Sequence, residues 1–315
     1  MSLRRDRPRR ALVTGGAGFI GSHVVRDLLA RGIEVTVLDD LSTGRREAVP
    51  AGADLVIGDV RAPDDVRAGL VGADVVFHLA AKVSVRDSFD HFYHDADTNI
   101  LGTANILRSL DPAVVRRFIL ASSMAVYAES GPDLTVAEEH ACTPLSPYGV
   151  GKHTAELLSA QVLAQRGIPF TALRYFNTFG PGQRFTPYVG VITIFVTRLL
   201  RGASPVVFGD GLQRRDFVHV DDIAAGTVAA LDGPPGTYNL GTGIATTVRE
   251  LAELLVSRIA PDVEIEWAPA QDGELRHSVA DITRATSCLG FLPRRSLRDD
   301  IGSVIDAIRE ERGAE

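Results

Sequence analysis

Tyr148 and Lys152 stand four residues apart in Tyr148-Gly149-Val150-Gly151-Lys152, the spacing that puts two side chains on one face of a helix. A free tyrosine keeps its proton up to a pH of about 10. A lysine ammonium one helical turn away favours the phenolate and is expected to lower that value. Ser123, from a separate segment, is placed to relay the proton. Such a trio suits the removal of a proton from a substrate hydroxyl. A tyrosine and a lysine at this spacing also occur as an ordinary surface pair, so the weight falls on the elements that position them.

The chain ahead of the trio alternates short apolar runs with helical stretches. Ala11-Leu12-Val13-Thr14 reads as a buried strand, followed at once by Gly15-Gly16-Ala17-Gly18-Phe19-Ile20-Gly21 and a helix from Phe19 to Ala30. Glycines at 15, 18 and 21 permit a tight turn and let a pyrophosphate approach the backbone, while the helix start offers N–H donors. Asp39 follows at the end of a strand Ile33–Leu38. A carboxylate there accepts hydrogen bonds from ribose hydroxyls and repels a 2′-phosphate, which favours NAD over NADP. Asp40 is its neighbour, and sequence does not separate the two. Leu41-Ser42-Thr43-Gly44 reads as a turn beside the ribose. Asp59-Val60, after a strand Asp54–Gly58, puts a second carboxylate near the expected adenine. Ala80-Ala81, after a strand Asp74–Leu79, is small enough for the middle of the cofactor to pass. Asn99 opens a helix Ile100–Leu110, and Ser122-Ser123 end a strand Arg117–Ala121. The alternation predicts an α/β fold with a Rossmann-type doubly wound parallel sheet, whose ligands sit at strand C-termini. A bound nicotinamide would add its positive charge to that of Lys152.

Beyond the trio, Phe170–Phe176 reads as a strand with Asn177 at its end, before Gly180-Pro181-Gly182. Gly190–Leu200 reads as a loop and an amphipathic helix, and Val206–Gly209 as a strand carrying Phe208. Arg214-Arg215-Asp216-Phe217 offers guanidinium groups, the natural bidentate ligands of phosphate. A helix Val218–Leu231 and a strand Thr237–Leu240 return to the first sheet. The division is therefore discontinuous: an NAD-binding domain at 1–176 with 218–243, and a smaller α/β substrate-binding domain at 177–217 and 244–315. A terminal helix at 297–312 carries Ile301, Val304, Ile305 and Ile308 on one stripe. His78, His219 and Trp267 read as packing residues, and His91 and His94 as surface residues. No metal site is expected.

The 315 residues are 45% hydrophobic, enough for one large or two modest cores, and the net charge of −7 argues against nucleic-acid or membrane-surface partners. The arginine-rich start (Arg4, Arg5, Arg7, Arg9, Arg10) reads as a solvated leader. No apolar run reaches the roughly 18–20 residues of a membrane span, and no secretory signal precedes Ala11. Cys142 and Cys288 match no metal spacing and fit a reducing cytoplasm.

From Thr14-Gly15-Gly16-Ala17-Gly18-Phe19-Ile20-Gly21 to Arg276-His277-Ser278-Val279-Ala280-Asp281, the chain resembles an extended short-chain dehydrogenase/reductase of the sugar-nucleotide epimerase/dehydratase family. Within that family it is most similar to the 4-epimerases of UDP-glucose and UDP-galactose. The resemblance implies Ser123, Tyr148 and Lys152 as catalytic residues. It implies a cofactor lining that adds Phe19, Ile20, Leu79, Ala80, Ala81, Asn99, Ala121 and Phe176 to Asp39, Asp59 and Val60. It also implies a nucleotide-sugar site from Ser84, Arg86, Asn177, Val191, Phe208, Arg215, Gln271, Glu274 and Ser278, with Ser278 facing the C2 substituent, and a homodimer built on Ile100–Leu110 and Gly149–Gln165. Two positions depart from the family pattern: Gln271 replaces a diphosphate arginine, which Arg276 or Arg184 would have to replace, and Ala128 replaces a glycine. Relatives that eliminate water or decarboxylate carry acidic groups just after the serine, where this chain has Met124 and Ala125. A 4-epimerase is thus the implied activity. Alternatives are a UDP-glucuronate 4-epimerase using Arg86 or Arg184, a nucleotide-sugar 4-ketoreductase, and a non-catalytic NAD-sensing scaffold recruited through the arginine arm.

Overall fold

Strand β1 (Arg10–Thr14) is buried on both sides, with Ala11 and Val13 in one apolar core and Leu12 in another. Successive side chains on a strand point to opposite faces, so a strand covered by helices on both sides reads as a continuous apolar run. The same alternation holds along Val75, Val76 and Phe77, and along Phe118, Ile119, Leu120 and Ala121. The computed structural model describes residues 9–131, 134–183, 190–270 and 275–313.

The remaining strands are β2 (Glu34–Asp39), β3 (Asp54–Ile57), β4 (Val75–His78), β5 (Arg117–Ser123), β6 (Phe170–Tyr175), β7 (Asn177–Phe179), β8 (Val206–Phe208), β9 (Arg214–His219), β10 (Gly236–Leu240), β11 (Ala245–Thr247), β12 (Glu266–Ala268) and β13 (His277–Ser278). A parallel sheet of order β3-β2-β1-β4-β5-β6-β10 forms the body of the molecule. Helices Phe19–Ala30 and Val220–Ala229 bury Val24, Val25, Leu28, Ile223 and Val228 on one face. Helices Pro63–Gly69, Thr103–Ser109 and Pro147–Arg166 bury Val66, Ile106, Leu107, Ala155 and Leu163 on the other. Strand order reverses between β1 and β4, and ligands of such sheets bind in the crevice at that reversal.

A second, smaller sheet gathers β7, β11 and β13 around β9, and β8 pairs with β12. Its core joins Phe179, Phe195, Phe217 and Leu251 to the stripe of Ile301, Val304, Ile305 and Ile308 on the terminal helix Leu297–Gly313.

Two local expectations are corrected. Val218 and His219 are strand residues because they pair with Thr178 and Phe179, so the helix starts at Val220. Asn99 does not open a helix. It lies inside a continuous helical run, within a π-helical turn Asp97–Gly102 between Phe92–Ala96 and Thr103–Ser109. Trp267, read as a packing residue, is 48% exposed and packs its ring under the Arg249 guanidinium at 4.9 Å.

Candidate active site

The glycine loop is shaped by what it touches. Gly15 has a φ of +70°, and a Cβ there would stand 2.7 Å from the Ala80 nitrogen, so the β1 turn lies directly on the segment leaving β4. The helix that follows starts at Phe19 with Gly18 as its cap residue, no side-chain cap and no acid in its first turn. Its first N–H groups are thus left for an external acceptor, and the helix end favours an anion. Asp39 is buried, its Oδ2 accepting from the Ala17 N–H at 3.0 Å and its Oδ1 from the Leu41 N–H at 2.9 Å. Burial raises its carboxyl above the ordinary value, and those two bonds oppose the rise. Asp40 is exposed and only accepts from the Ser42 N–H, which separates the two neighbours. The Leu41–Gly44 turn is closed onto the loop by Arg45 N–H donating to the Ala17 carbonyl at 3.1 Å, with Thr43 exposed and Gly44 buried. This bare, donor-rich cradle fits the pyrophosphate and ribose of a dinucleotide.

Farther along the crevice, Asp59 is clasped by Arg61, whose Nε donates to both carboxylate oxygens at 3.0 and 2.9 Å and whose other arm reaches Asp97. Arg61 holds the Asp59 carboxyl below its usual range. Val60 is buried, its carbonyl accepting from Asn105. Leu79, Ala80 and Ala81 are half-buried. Leu79 and Ala80 donate their N–H groups to Thr14 Oγ1 at 3.2 and 3.1 Å. His78 bridges Thr14 and Thr103, at 2.7 and 3.0 Å. The Thr103 hydroxyl donates to the Asn99 carbonyl, so it accepts from His78 Nε2–H, and His78 Nδ1 accepts from Thr14. Burial first, and Lys152 second, push His78 down to about 3, so it is a neutral strut. Asn99 works behind this segment: Oδ1 accepts the Lys82 N–H at 2.9 Å, and Nδ2 donates to the Lys82 carbonyl and to Asp95, both at 3.0 Å.

The trio meets at the end of β5. Ser146 caps the Pro147–Arg166 helix by accepting from the Gly149 N–H at 3.1 Å, with Pro147 in the first turn. Ser88 accepts from the Tyr148 N–H at 3.2 Å and donates to the Val85 carbonyl at 2.6 Å. Ser123 Oγ accepts from the Ala125 N–H at 3.2 Å, and its hydroxyl faces Tyr148 closely enough to favour the phenolate. Lys152 Nζ donates to the Ala121 carbonyl at 3.0 Å. Met124 is half-buried and Ala125 buried, and neither brings an acid or base.

The electrostatics correct one expectation. Burial pushes Tyr148 up to about 12, with the Ser123 bond lowering it and the Asp95 charge raising it. Burial also pulls Lys152 down to about 8, against Asp95 and then Glu156. Desolvation is the leading cause at both groups.

On the substrate side, Phe176 is buried between β6 and β7, its N–H donating to the Leu240 carbonyl at 3.0 Å. Asn177 carries a buried Oδ1 with no hydrogen-bond partner among the described residues. Val191, half-buried, begins the helix Val191–Leu199. Arg215 is 7% exposed and faces Ser278 across the β9–β13 pair, its guanidinium reaching the Arg214 and Arg276 carbonyls. Arg86 lies over the Phe208 ring at 5.5 Å, joining the two sheets' loops, and Ser84 accepts from the Asp87 N–H at 3.0 Å. Arg276 is ion-paired with Asp210. Gln271, Glu274 and Arg184 lie outside the described residues, as do Arg4, Arg5 and Arg7. Arg10 pairs with Glu34.

The model of the NAD dependent epimerase/dehydratase family matches residues 11–241. The chain belongs to this family. The UDP-glucose 4-epimerase of Mycolicibacterium smegmatis is 35% identical to it over 311 residues, 96% of this chain and 99% of that protein. The structure of a UDP-glucose 4-epimerase from Thermotoga maritima with UDP-glucose superposes with a TM-score of 0.92 at 35% identity, covering 96% of this chain and 99% of that one. The Thermus thermophilus UDP-glucose 4-epimerase with NAD gives a TM-score of 0.89 at 35% identity, over 95% and 99% of the two chains. NAD is the cofactor of this epimerase/dehydratase, and the bare glycine loop and Asp39 are fitted to it.

Sequence reading missed several residues that position this family's machinery here. Ser88 holds the backbone of Tyr148; His78, read as a packing residue, is buried as a strut for the loop behind the cofactor cradle. Asp95 is 4% exposed beneath the trio. Its spacing of four from Asn99 was the available signal. Among the described residues, no group of His, Cys, Asp and Glu could hold a metal ion.

Proposed function

We propose that the chain is a 4-epimerase of a nucleotide sugar of the UDP-glucose/UDP-galactose type, working through a transient 4-keto sugar. One observation supports the reading: Ser123 at the β5 end acts on the buried Tyr148 hydroxyl, Lys152 one helical turn on is tied to the Ala121 carbonyl of the same strand, and apolar Met124 and Ala125 come next in line. Tyr148 Oη takes the proton of the sugar 4-hydroxyl, Ser123 orients or relays it, and Lys152 offsets the charge left on Tyr148. NAD, when bound, supplies the reversible acceptance of a hydride. Gly15, Gly18, Phe19, Ile20 and Asp39 would hold its pyrophosphate and adenosine ribose, with Asp59 and Val60 toward the adenine. Asn177, Val191, Phe208, Arg215 and Ser278 would hold the nucleotide sugar. We divide the chain accordingly into a cofactor-binding part, 1–176 with 218–243, and a substrate-binding remainder. With no acid or base at 124 and 125, elimination and decarboxylation lack their groups.

The deciding experiment incubates the purified protein with UDP-glucose, UDP-N-acetylglucosamine, UDP-glucuronate and TDP-glucose, and resolves products by NMR. Conversion of UDP-glucose to UDP-galactose is expected. A 4-keto-6-deoxy or pentose product would overturn the reading. Arg86, exposed over Phe208, favours one second reading, a uronate 4-epimerase whose C6 carboxylate meets that guanidinium; faster turnover of UDP-glucuronate would select it.

A homodimer through Phe92–Ser109 and Pro147–Arg166 is part of the proposal. Phe92, Leu101, Val150 and Leu157 are exposed apolar side chains on these two helical runs, and such faces call for a cover. Sedimentation checks it. The cytoplasm is the proposed location: both cysteines are free, and among the described residues no helix is long and apolar enough to cross a membrane.

A further inference from the structure

Asp95 sits at the end of Phe92–Ala96, immediately before the π-helical turn, a helix irregularity that often accompanies a working site. Its Oδ1 accepts from the Asn99 amide at 3.0 Å. The Pro147–Arg166 helix crosses above it at Gly151, where a Cβ would stand only 3.1 Å from the same oxygen. The missing side chain at 151 therefore lets a buried carboxylate lie against the backbone just ahead of Lys152.

The charges around this spot are few. Lys152 from the facing helix, Asp87 from the preceding helical turn and His94 from its own element act on Asp95. Asp95 in turn acts on Tyr148. Around Lys152 stand neutral His78, the Ala121 carbonyl and two carboxylates, Asp95 and Glu156. Glu156 is bound through both oxygens by Arg174, at 3.0 and 2.7 Å. Its charge is already answered, whereas Asp95, among the described residues, is hydrogen-bonded by a neutral amide side chain.

We propose that Asp95 is a positioning residue of the reaction, whose carboxylate, oriented by Asn99 and admitted by Gly151, holds Lys152 as an ammonium beside Tyr148. This rests on the reading of Tyr148 as the base. Asn99 grips the Lys82 backbone with the same side chain, so one amide ties the carboxylate to the segment behind Ala80 and Ala81.

The chain contains two lysines, Lys82 and Lys152, so 13C-lysine labelling gives two side-chain signals, assigned with Lys152→Arg. In the wild type the Lys152 signal is expected to titrate near pH 8, the value of about 8 that burial imposes. Asp95→Asn should move that titration down by about one pH unit, the low end of what a neighbouring charge does. The alkaline limb of kcat should move with it, a loss of about tenfold on that limb with KM unchanged, and Asp95→Glu should restore much of both. Glu156→Gln should move the signal far less. A Lys152 titration that stays in place in Asp95→Asn overturns the proposal, even if that variant loses activity or melts earlier. Should Asp95→Asn fail to fold, Gly151→Ala presses on the carboxylate while keeping its charge. A smaller downward shift is expected there, and none overturns the proposal. If the protein interconverts no sugar nucleotide, the functional reading fails while the lysine titration still decides the role of Asp95.

Discussion

Two buried cations lie one helical turn apart along Pro147–Arg166, and the protein treats them in opposite ways. Arg174 reaches the helix from β6. It is 5% exposed, binds Glu156 through Nε and Nη2, donates from Nη1 to the Glu138 carbonyl at 3.1 Å, and lies 4.7 Å over the Tyr127 ring. Tyr127 in turn donates to Asn239 at 2.6 Å. Burial works against the charge of Arg174, but Glu156 outweighs it and holds the guanidinium protonated well above its usual range. Lys152 is also 5% exposed. It bonds one carbonyl, and its carboxylates act from a distance, so burial wins and the ammonium is pulled down to about 8. Equal depth with unequal pairing gives one charge locked in place and one within reach of physiological pH. A fully answered ion pair ties β6 to the helix, and an under-answered cation can respond to a reacting tyrosine.

The sharpest way to break this comparison is at the tyrosine. Tyr148→Phe should lower kcat by about 10²–10⁴, the usual size of general acid–base effects. Sugar-nucleotide affinity by calorimetry should hold, because the ring and the Ser88 contact to its backbone remain. Full activity in this variant would move the base elsewhere and leave Lys152 without a task.

The paired cation should answer in stability instead. Glu156→Gln leaves Arg174 buried without its countercharge, and breaking one side of such a pair costs about 3–5 kcal/mol. The urea midpoint should fall accordingly, with kcat changed by no more than a few-fold. A variant as stable as the wild type would show that Tyr127 and the Glu138 carbonyl suffice to hold the guanidinium.

The difference between these sites also explains how much was readable in advance. The large parallel sheet was legible because its inner strands are apolar runs, and Gly15, Asp39 and Ser123 sit where those runs end. The smaller sheet was not. Strands β7, β11 and β13 have three, three and two residues, and their pairing partners are far away in sequence. Arg215 was picked out for its charge, yet its facing residue, Ser278, depends on a register that local pattern does not encode. Asp95 was hidden for a related reason. His91 and His94 beside it read as surface residues, and another helix approaches the Asp95 carboxylate at Gly151. The sequence shows the spacing of Tyr148 and Lys152 and leaves the desolvation of both groups out of view.

The same desolvation makes the last and smallest effect testable by pH. Lys152 carries its proton up to its ordinary 10.5 in the unfolded chain but gives it up at about 8 in the folded protein. Between those values the unfolded state binds more protons, so wild-type stability should rise as pH climbs through that window. Below pH 8 the buried ammonium costs up to about 3 kcal/mol, since each tenfold loss of proton affinity is worth about 1.4 kcal/mol. Lys152→Met removes that net cost, in which the attraction of Asp95 and Glu156 is already counted, and loses the Ala121 bond, worth about 1 kcal/mol. The variant should therefore be inactive yet more stable than the wild type at pH 7, by about 2 kcal/mol in urea titrations, with the gap closing toward pH 10. Arg174→Met should do the reverse, stranding Glu156 at neutral pH. If Lys152→Met is instead the less stable protein at pH 7 and the gap ignores pH, the ammonium is as well answered as the guanidinium, and the contrast between the two cations disappears.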